Sequence, residues 1–173
     1  HSTLFPYTTL FRSGCAAGVI PSPLPVVLGM LIRPIQPGER DAVADFAIEG
    51  MRSETVPMVV SREKVVAVTE HFVRPNRDFN LLAWDGDTLV AGIAVAVSEM
   101  LWFERCEAHI VMFRSLKPGV GRTLMRHALA WCKADMRIQR VLWSLEADAD
   151  SRTTRYASRF GFNTQTLCVM HKE

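Results

Sequence analysis

The chain of 173 residues is short of several features, and each shortage excludes something. It has no Cys-x-x-Cys pair. Its four cysteines, Cys15, Cys106, Cys132 and Cys168, stand far apart, so neither a zinc cluster nor a dithiol redox centre is written in it, and no metal is expected. They read as reduced, mostly buried thiols of a cytoplasmic protein. Charge of one sign is also lacking: 20 Lys+Arg face 18 Asp+Glu, a formal net charge of +2. That leaves no electrostatic footprint for nucleic acid. No uninterrupted apolar run reaches the roughly 18 residues of a transmembrane helix, so no membrane partner is expected. What is present is 49% hydrophobic residues, enough for one core in a chain too short for two domains.

The first 29 residues read differently from the rest. Thr3 to Ser13 resembles a translated sequencing-library adapter. Ala16 to Gly29 is apolar but broken by Pro21, Pro23 and Pro25, a spacing that suits neither the helical core nor the cleavage site of a signal peptide. Residues 1–29 are therefore expected to lie outside a single domain spanning 30–173.

From Met30 the pattern alternates. Met30 to Ile35 is a short strand, at a sheet edge because of Pro34. Pro37 and Gly38 open a helix with Val43, Phe46, Ala47 and Gly50 on one face, up to about Arg52. Ser61 starts a second helix, through Phe72, whose Val65, Val66, Val68 and Thr69 are poor helix formers. Phe79 to Trp84 and Thr88 to Val97 flank Asp85-Gly86-Asp87, the signature of a hairpin. A third strand is expected from about Phe103 to Phe113, and a helix after Gly121 with Val120, Leu124, Ala128, Trp131 and Cys132 in one stripe. Arg140 to Leu145 reads as a central strand covered on both faces, and Ser151 to Phe160 as a short helix with Gly161 at its αL cap. Asn163 to His171 would be the last strand. The order β-α-α-β-β-β-α-β-α-β implies an α+β fold with a mixed sheet.

Chemistry is concentrated in Lys117-Pro118-Gly119-Val120-Gly121-Arg122-Thr123. A helix start offers amides without intrahelical acceptors and the positive end of a dipole. Glycines just before it let the backbone approach an anion such as a pyrophosphate. Lys117 and Arg122 would add charge, and Thr123 a hydroxyl. From the residues alone the segment is either this cradle or a plain tight turn. It is not a P-loop, which needs Gly-Lys-Ser/Thr four residues on, nor a Rossmann fingerprint, since Leu124 stands where a third glycine belongs.

In context, the segment resembles the pyrophosphate loop of the GNAT family of N-acetyltransferases, of the form Gln/Arg-x-x-Gly-x-Gly/Ala. Leu116-Lys117-Pro118-Gly119-Val120-Gly121 matches except at its first position, where Lys117 or Arg114 would have to compensate for Leu116. A second family signature, Asn-x-x-Ala-x-x-Leu-Tyr-x-x-x-Gly-Phe, is approximated by Asp150, Thr153, Tyr156, Ala157, Gly161 and Phe162. The resemblance spans about residues 30–173. It implies a GNAT-like mixed sheet flanked by helices, acetyl-CoA as cosubstrate, and direct transfer of the acetyl group to an amine. It also implies that the strand before the loop, including Val111 and Phe113, presents its backbone to the pantetheine arm, with an amide near Val111 stabilising the oxyanion. Asp150 joins the loop residues 117–123 as a CoA contact on the same grounds.

Removing a proton from an ammonium needs a base. Glu104 and Glu107, expected on one strand and on opposite faces, are the candidates, with His109 beside them; both carboxylates are equally readable as solvent-facing. The family's Tyr acid is replaced by Ala157, which leaves Tyr156, Ser158 or solvent to protonate the thiolate. These departures keep a second reading open, a non-catalytic acyl-CoA-binding sensor or scaffold. The acceptor, a small molecule or a peptide amine, is not encoded in any readable motif. Trp102 and Phe103 read as packing, an acceptor-pocket wall or an interface, and a homodimer is left open.

Overall fold

The structure, a computed structural model, describes residues 29–51, 60–73, 78–100, 104–144 and 151–163. The segment 1–28, Trp102, Phe103, Asp150 and all but the first residue of the expected last strand fall outside these ranges.

The chain opens with a short strand, β1 (Leu31–Arg33), and a 3₁₀ turn (Pro37–Glu39) that runs into α1 (Arg40–Met51). Glu39 fastens this entry. Its Oε2 accepts the Gln36 amide at 2.8 Å and an Arg33 Nη1–H at 2.8 Å. The guanidinium holds the Glu39 carboxyl below its usual range, against an opposing effect of burial. The β-branched second helix forms as α2 (Arg62–Val73). Ser61 Oγ accepts the Lys64 amide at 3.4 Å, the Thr69 hydroxyl donates back to the Val65 carbonyl at 2.9 Å, and Arg62 bridges Asp41 and Asp45 of α1. Tertiary attachment thus outweighs weak propensity.

A hairpin follows, β2 (Phe79–Asp85) and β3 (Thr88–Glu99), closed by Gly86-Asp87 between the paired Asp85 and Thr88. Then come β4 (Cys106–Ser115), α3 (Val120–Ala134) and β5 (Ile138–Trp143). The described strands form one sheet in the order β1-β2-β3-β4-β5, antiparallel except for the β4–β5 pair, which α3 connects. Two expectations are corrected. β4 begins at Cys106, so Glu104 precedes the strand. And β5 has Gln139 and Arg140 exposed, where its apolar run had suggested cover on both faces.

Side-chain alternation assigns the two faces. Leu81, Ile93, Val95, Ala108 and Phe113 share the face on which α3 lies, where Phe79 meets Trp131 with ring centroids 5.4 Å apart. Cys132 is buried on α3 and its thiol is pushed up to about 12 by desolvation, so it is a packing group that stays protonated. Leu82, Gly92, Ala94 and Met112 share the other face, where Phe46 of α1 approaches Gly92. Ile35, Val43, Phe72, Leu82 and Ala94 form the buried cluster under α1 and α2.

The chain divides into two compact units, His1–Trp143 and Ser144–Glu173. In the second, α4 (Ser151–Ser158) ends as expected at Gly161, with φ +85°. Phe162 N–H reaches the Ala157 carbonyl at 3.4 Å and Gly161 N–H that of Ser158 at 3.0 Å, a Schellman cap.

Candidate functional site

The site grows out of a local defect in β4. Ala94 pairs with Met112 and Val95 with Ile110, so Val111 is an extra residue with no counterpart on β3. Such a bulge bends and twists its strand. Immediately beyond Ile110, which is in register with Trp143, the pairing with β5 ends. From Val111 to Ser115, β4 therefore has a hydrogen-bonded neighbour on one side only among the described strands. Val111 itself is 50% exposed. Phe113 fills the fork between the strands with its ring edge-on to Trp143, centroids 5.2 Å apart.

β4 leads through Leu116 and Lys117 to the start of α3. Gly119 has φ +83°, a left-handed conformation that favours glycine, and turns the chain into the helix. Gly121 is also held tightly against β4. A Cβ there would stand 2.9 Å from Ser115 Cβ and 3.0 Å from Phe113 Cζ, so the missing side chain lets α3 close onto β4. Its amide donates to Ser115 Oγ at 3.1 Å, and that hydroxyl donates to the Lys117 carbonyl at 2.9 Å. Helix geometry leaves the first-turn amides of Val120 and Arg122 without an intrahelical acceptor, whereas the Thr123 amide and hydroxyl both turn to the Gly119 carbonyl, at 3.3 and 3.5 Å. Val120 is buried and Pro118 exposed.

The cations do not all point to this cradle. Lys117 pairs with Asp85 of the hairpin. Arg114, the other proposed substitute for the cation missing at Leu116, is committed to α1: its Nη1 donates to the Phe46 carbonyl at 2.6 Å and to Glu49 at 3.0 Å, and its guanidinium lies 4.6 Å over the Phe46 ring. Arg122 is exposed and forms no ion pair among the described residues.

Of the two carboxylates, Glu104 is exposed ahead of β4. Glu107 is on the strand, its side chain 15% exposed, bound to Arg140 directly across on β5 and 3.4 Å from His109 Nε2. Sequence reasoning could not see Arg140 there, because parallel register leaves no local signal. Glu107 and His109 lie on the α1–α2 face of the sheet. The His109–Ala96 rung adjoins Met112–Ala94 on that face, about 7 Å along the strand. On that face, beside the bulge, is a pocket of about 180 Å³ lined by both helices and the sheet. No periodicity announced it.

No family profile and no curated protein matches the chain. Solved structures do. A possible acetyltransferase from Clostridium difficile 630 superposes with a TM-score of 0.65 over 83% of this chain and 97% of its own, at 14% identity. A transcriptional regulator from Bacillus halodurans C-125 gives 0.64 over 83% and 99%, at 16% identity. An aminoglycoside N-acetyltransferase in complex with CoA gives 0.63 over 83% and 94%, at 9% identity. The fold is that of the GNAT acetyltransferases. At these identities the likeness speaks for the GNAT architecture alone, and the regulator shows that a similar framework carries other names.

Proposed function

We propose that the chain is an N-acetyltransferase that uses acetyl-CoA and passes the acetyl group directly to an amine. The observation that carries this reading is the fork in the sheet: β4 bulges at Val111 and loses β5 after Ile110, and the same strand delivers the amide-bearing start of α3. An extended amide-containing arm can pair with the open side of Val111 to Phe113, and a pyrophosphate can rest on the amides of Gly119, Val120 and Arg122 with the Arg122 side chain beside them. A structural neighbour was solved in complex with CoA, which supports CoA as the ligand. Lys117, Pro118, Gly121 and Thr123 shape the turn. Bound acetyl-CoA supplies the activated acyl thioester.

The chain's own contribution is proton transfer and positioning. His109, held by Glu107, is the base that takes the proton of the incoming ammonium. Glu107 lies between Arg140 and His109, which suits it to orient and polarise the imidazole. A backbone amide at the bulge is available to the developing oxyanion.

One observation favours the second reading, an acyl-CoA-binding domain without turnover. Ala157, buried in α4, stands where the resemblance implies the acid that protonates the leaving thiolate. Two measurements separate the readings. Acetyl-CoA is expected to raise the melting temperature where ATP and NAD do not, and an amine panel is expected to release CoA thiol. Stabilisation without thiol release would establish the sensor, and no stabilisation would remove both.

A further inference from the structure

The pocket beside the bulge has a composition that selects its occupant. Its floor is the buried cluster of Ile35, Val43, Phe72, Leu82 and Ala94. The polar groups that line it are already engaged: Asn80 accepts the Ile35 amide at 2.8 Å and donates to the Phe72 carbonyl at 3.0 Å, and the Thr69 hydroxyl serves Val65. Such a floor gives water few partners and favours an apolar group. The volume, about 180 Å³, is near the roughly 150 Å³ of an apolar cavity that takes up benzene and below the roughly 300 Å³ at which whole-ligand pockets begin. It fits one side-chain-sized group and not a whole sugar or polyamine.

The rim supplies the rest. Val68 and Val111 are 54% and 50% exposed, although both are large and apolar. A ligand lying across the mouth would cover them. Lys64 stands on the same rim, exposed, and forms no ion pair among the described residues. Among the described residues no carboxylate lines the pocket, while a cation at the mouth matches an acid. Val111 and Met112 join the pocket to the open half of β4.

Given the acetyltransferase reading, we infer that the acceptor is an apolar amino acid or a close relative: an amine at the bulge, an aromatic or branched aliphatic group in the pocket, and a carboxylate against Lys64. The step is ordinary acyl transfer. The ammonium gives one proton to His109, and the free amine attacks the thioester carbonyl. The C–S bond breaks with its electron pair on the thiolate as the N–C amide bond forms, and the second nitrogen proton passes through solvent to the thiolate, giving CoA thiol.

The test compares L-phenylalanine and L-leucine with 2-phenylethylamine and spermidine as acceptors of acetyl-CoA, and then repeats the comparison on Lys64→Glu. The two amino acids are expected to lead. Lys64→Glu is expected to lower the ratio of kcat/KM for L-phenylalanine over 2-phenylethylamine by about tenfold or more, since like charges then face each other. A preference for spermidine, or an unchanged ratio, overturns the inference and leaves the acetyltransferase standing. A preference for octanoyl-CoA over acetyl-CoA also overturns it, because the pocket would then hold the donor's chain. If no amine turns over, calorimetry with N-acetyl-L-phenylalanine alone decides. Binding weakened by Lys64→Glu keeps the pocket's specificity while the catalytic reading falls, and no binding removes the inference too.

Discussion

From Cys106 to Ile110, β4 is paired with β3 on one side and β5 on the other; from Val111 to Ser115, β3 is the sole described partner. The first half buries Cys106, Ala108 and Ile110 and holds Glu107 between Arg140 and His109. The second half has a half-exposed valine, an aromatic ring in the fork and a serine that fastens the next turn. Under the proposed function, one strand would thus carry the proton-transfer group and, a single bulge later, an edge that is unpaired among the described strands and against which a ligand would lie. The difference teaches that rigidity and access are divided along the strand by one unpaired residue.

The contrast breaks most visibly if the first half is not the seat of proton transfer. His109→Gln is expected to lower kcat/KM for amine acetylation by roughly 10²–10⁴, with acetyl-CoA binding retained. Glu107→Gln should act in the same direction but less, and should change the shape of the pH–rate profile, because it alters how the imidazole is held. Glu104→Gln, ahead of the strand, should leave the rate as it was. Steady-state thiol release across pH distinguishes these outcomes. A His109→Gln enzyme within tenfold of the parent would dismiss the imidazole, and a slow Glu104→Gln enzyme would move the base out of β4.

The second half is probed at its contact with α3. Gly121→Val places a branched side chain where a bare Cβ already meets Ser115 and Phe113 at 2.9 and 3.0 Å. Overpacking of this kind costs about 1–3 kcal/mol, read as a lower urea midpoint, and affinity for acetyl-CoA should fall with it as the helix start shifts. Gly119→Ala strains a positive φ by about 1 kcal/mol without touching that contact. Equal midpoints for Gly121→Val and the parent would mean that α3 does not rest on β4 as described.

Much of this architecture was legible in residues. The hairpin at Asp85-Gly86-Asp87, the amphipathic stripe of α3 and the αL cap at Gly161 each follow from local chemistry, and each is found; β1 lies at the edge of the described sheet, but Pro34 falls just past its end. The loop between Lys117 and Thr123 was legible as a place but not in its internal wiring: that Ser115 takes the Gly121 amide depends on how two elements meet. β5 shows the limit of pattern reading, since its apolar run did not announce that Gln139 and Arg140 would be exposed. The bulge at Val111 is a matter of register, Arg140 reaches Glu107 only through parallel pairing, and the pocket is assembled from five elements. None of these leaves a periodic trace.

The smallest expected effect concerns how the paired half is aligned. Asp135 ends α3 and binds Arg137, whose backbone N–H lies 3.0 Å from Asp135 Oδ1 and whose Nη2 lies 2.6 Å from Oδ2; the Arg137 carbonyl then accepts the Cys106 amide at 2.9 Å. This turn therefore sets where β5 meets the start of β4. The guanidinium holds the Asp135 carboxyl below its ordinary value, against a smaller opposing effect of burial. A depressed folded-state pKa means that the stabilisation is fully present above the unfolded value, about 3.9, and is lost as pH falls through the folded one. Arg137 is 37% exposed, so solvent screening keeps the effect under about 1 kcal/mol. Asp135→Asn is accordingly expected to lower stability slightly at pH 7 and to differ least from the parent near pH 3, measured by urea unfolding at both values. A stability gap that stays constant with pH would assign Asp135 a role in the turn's backbone geometry instead of in its charge.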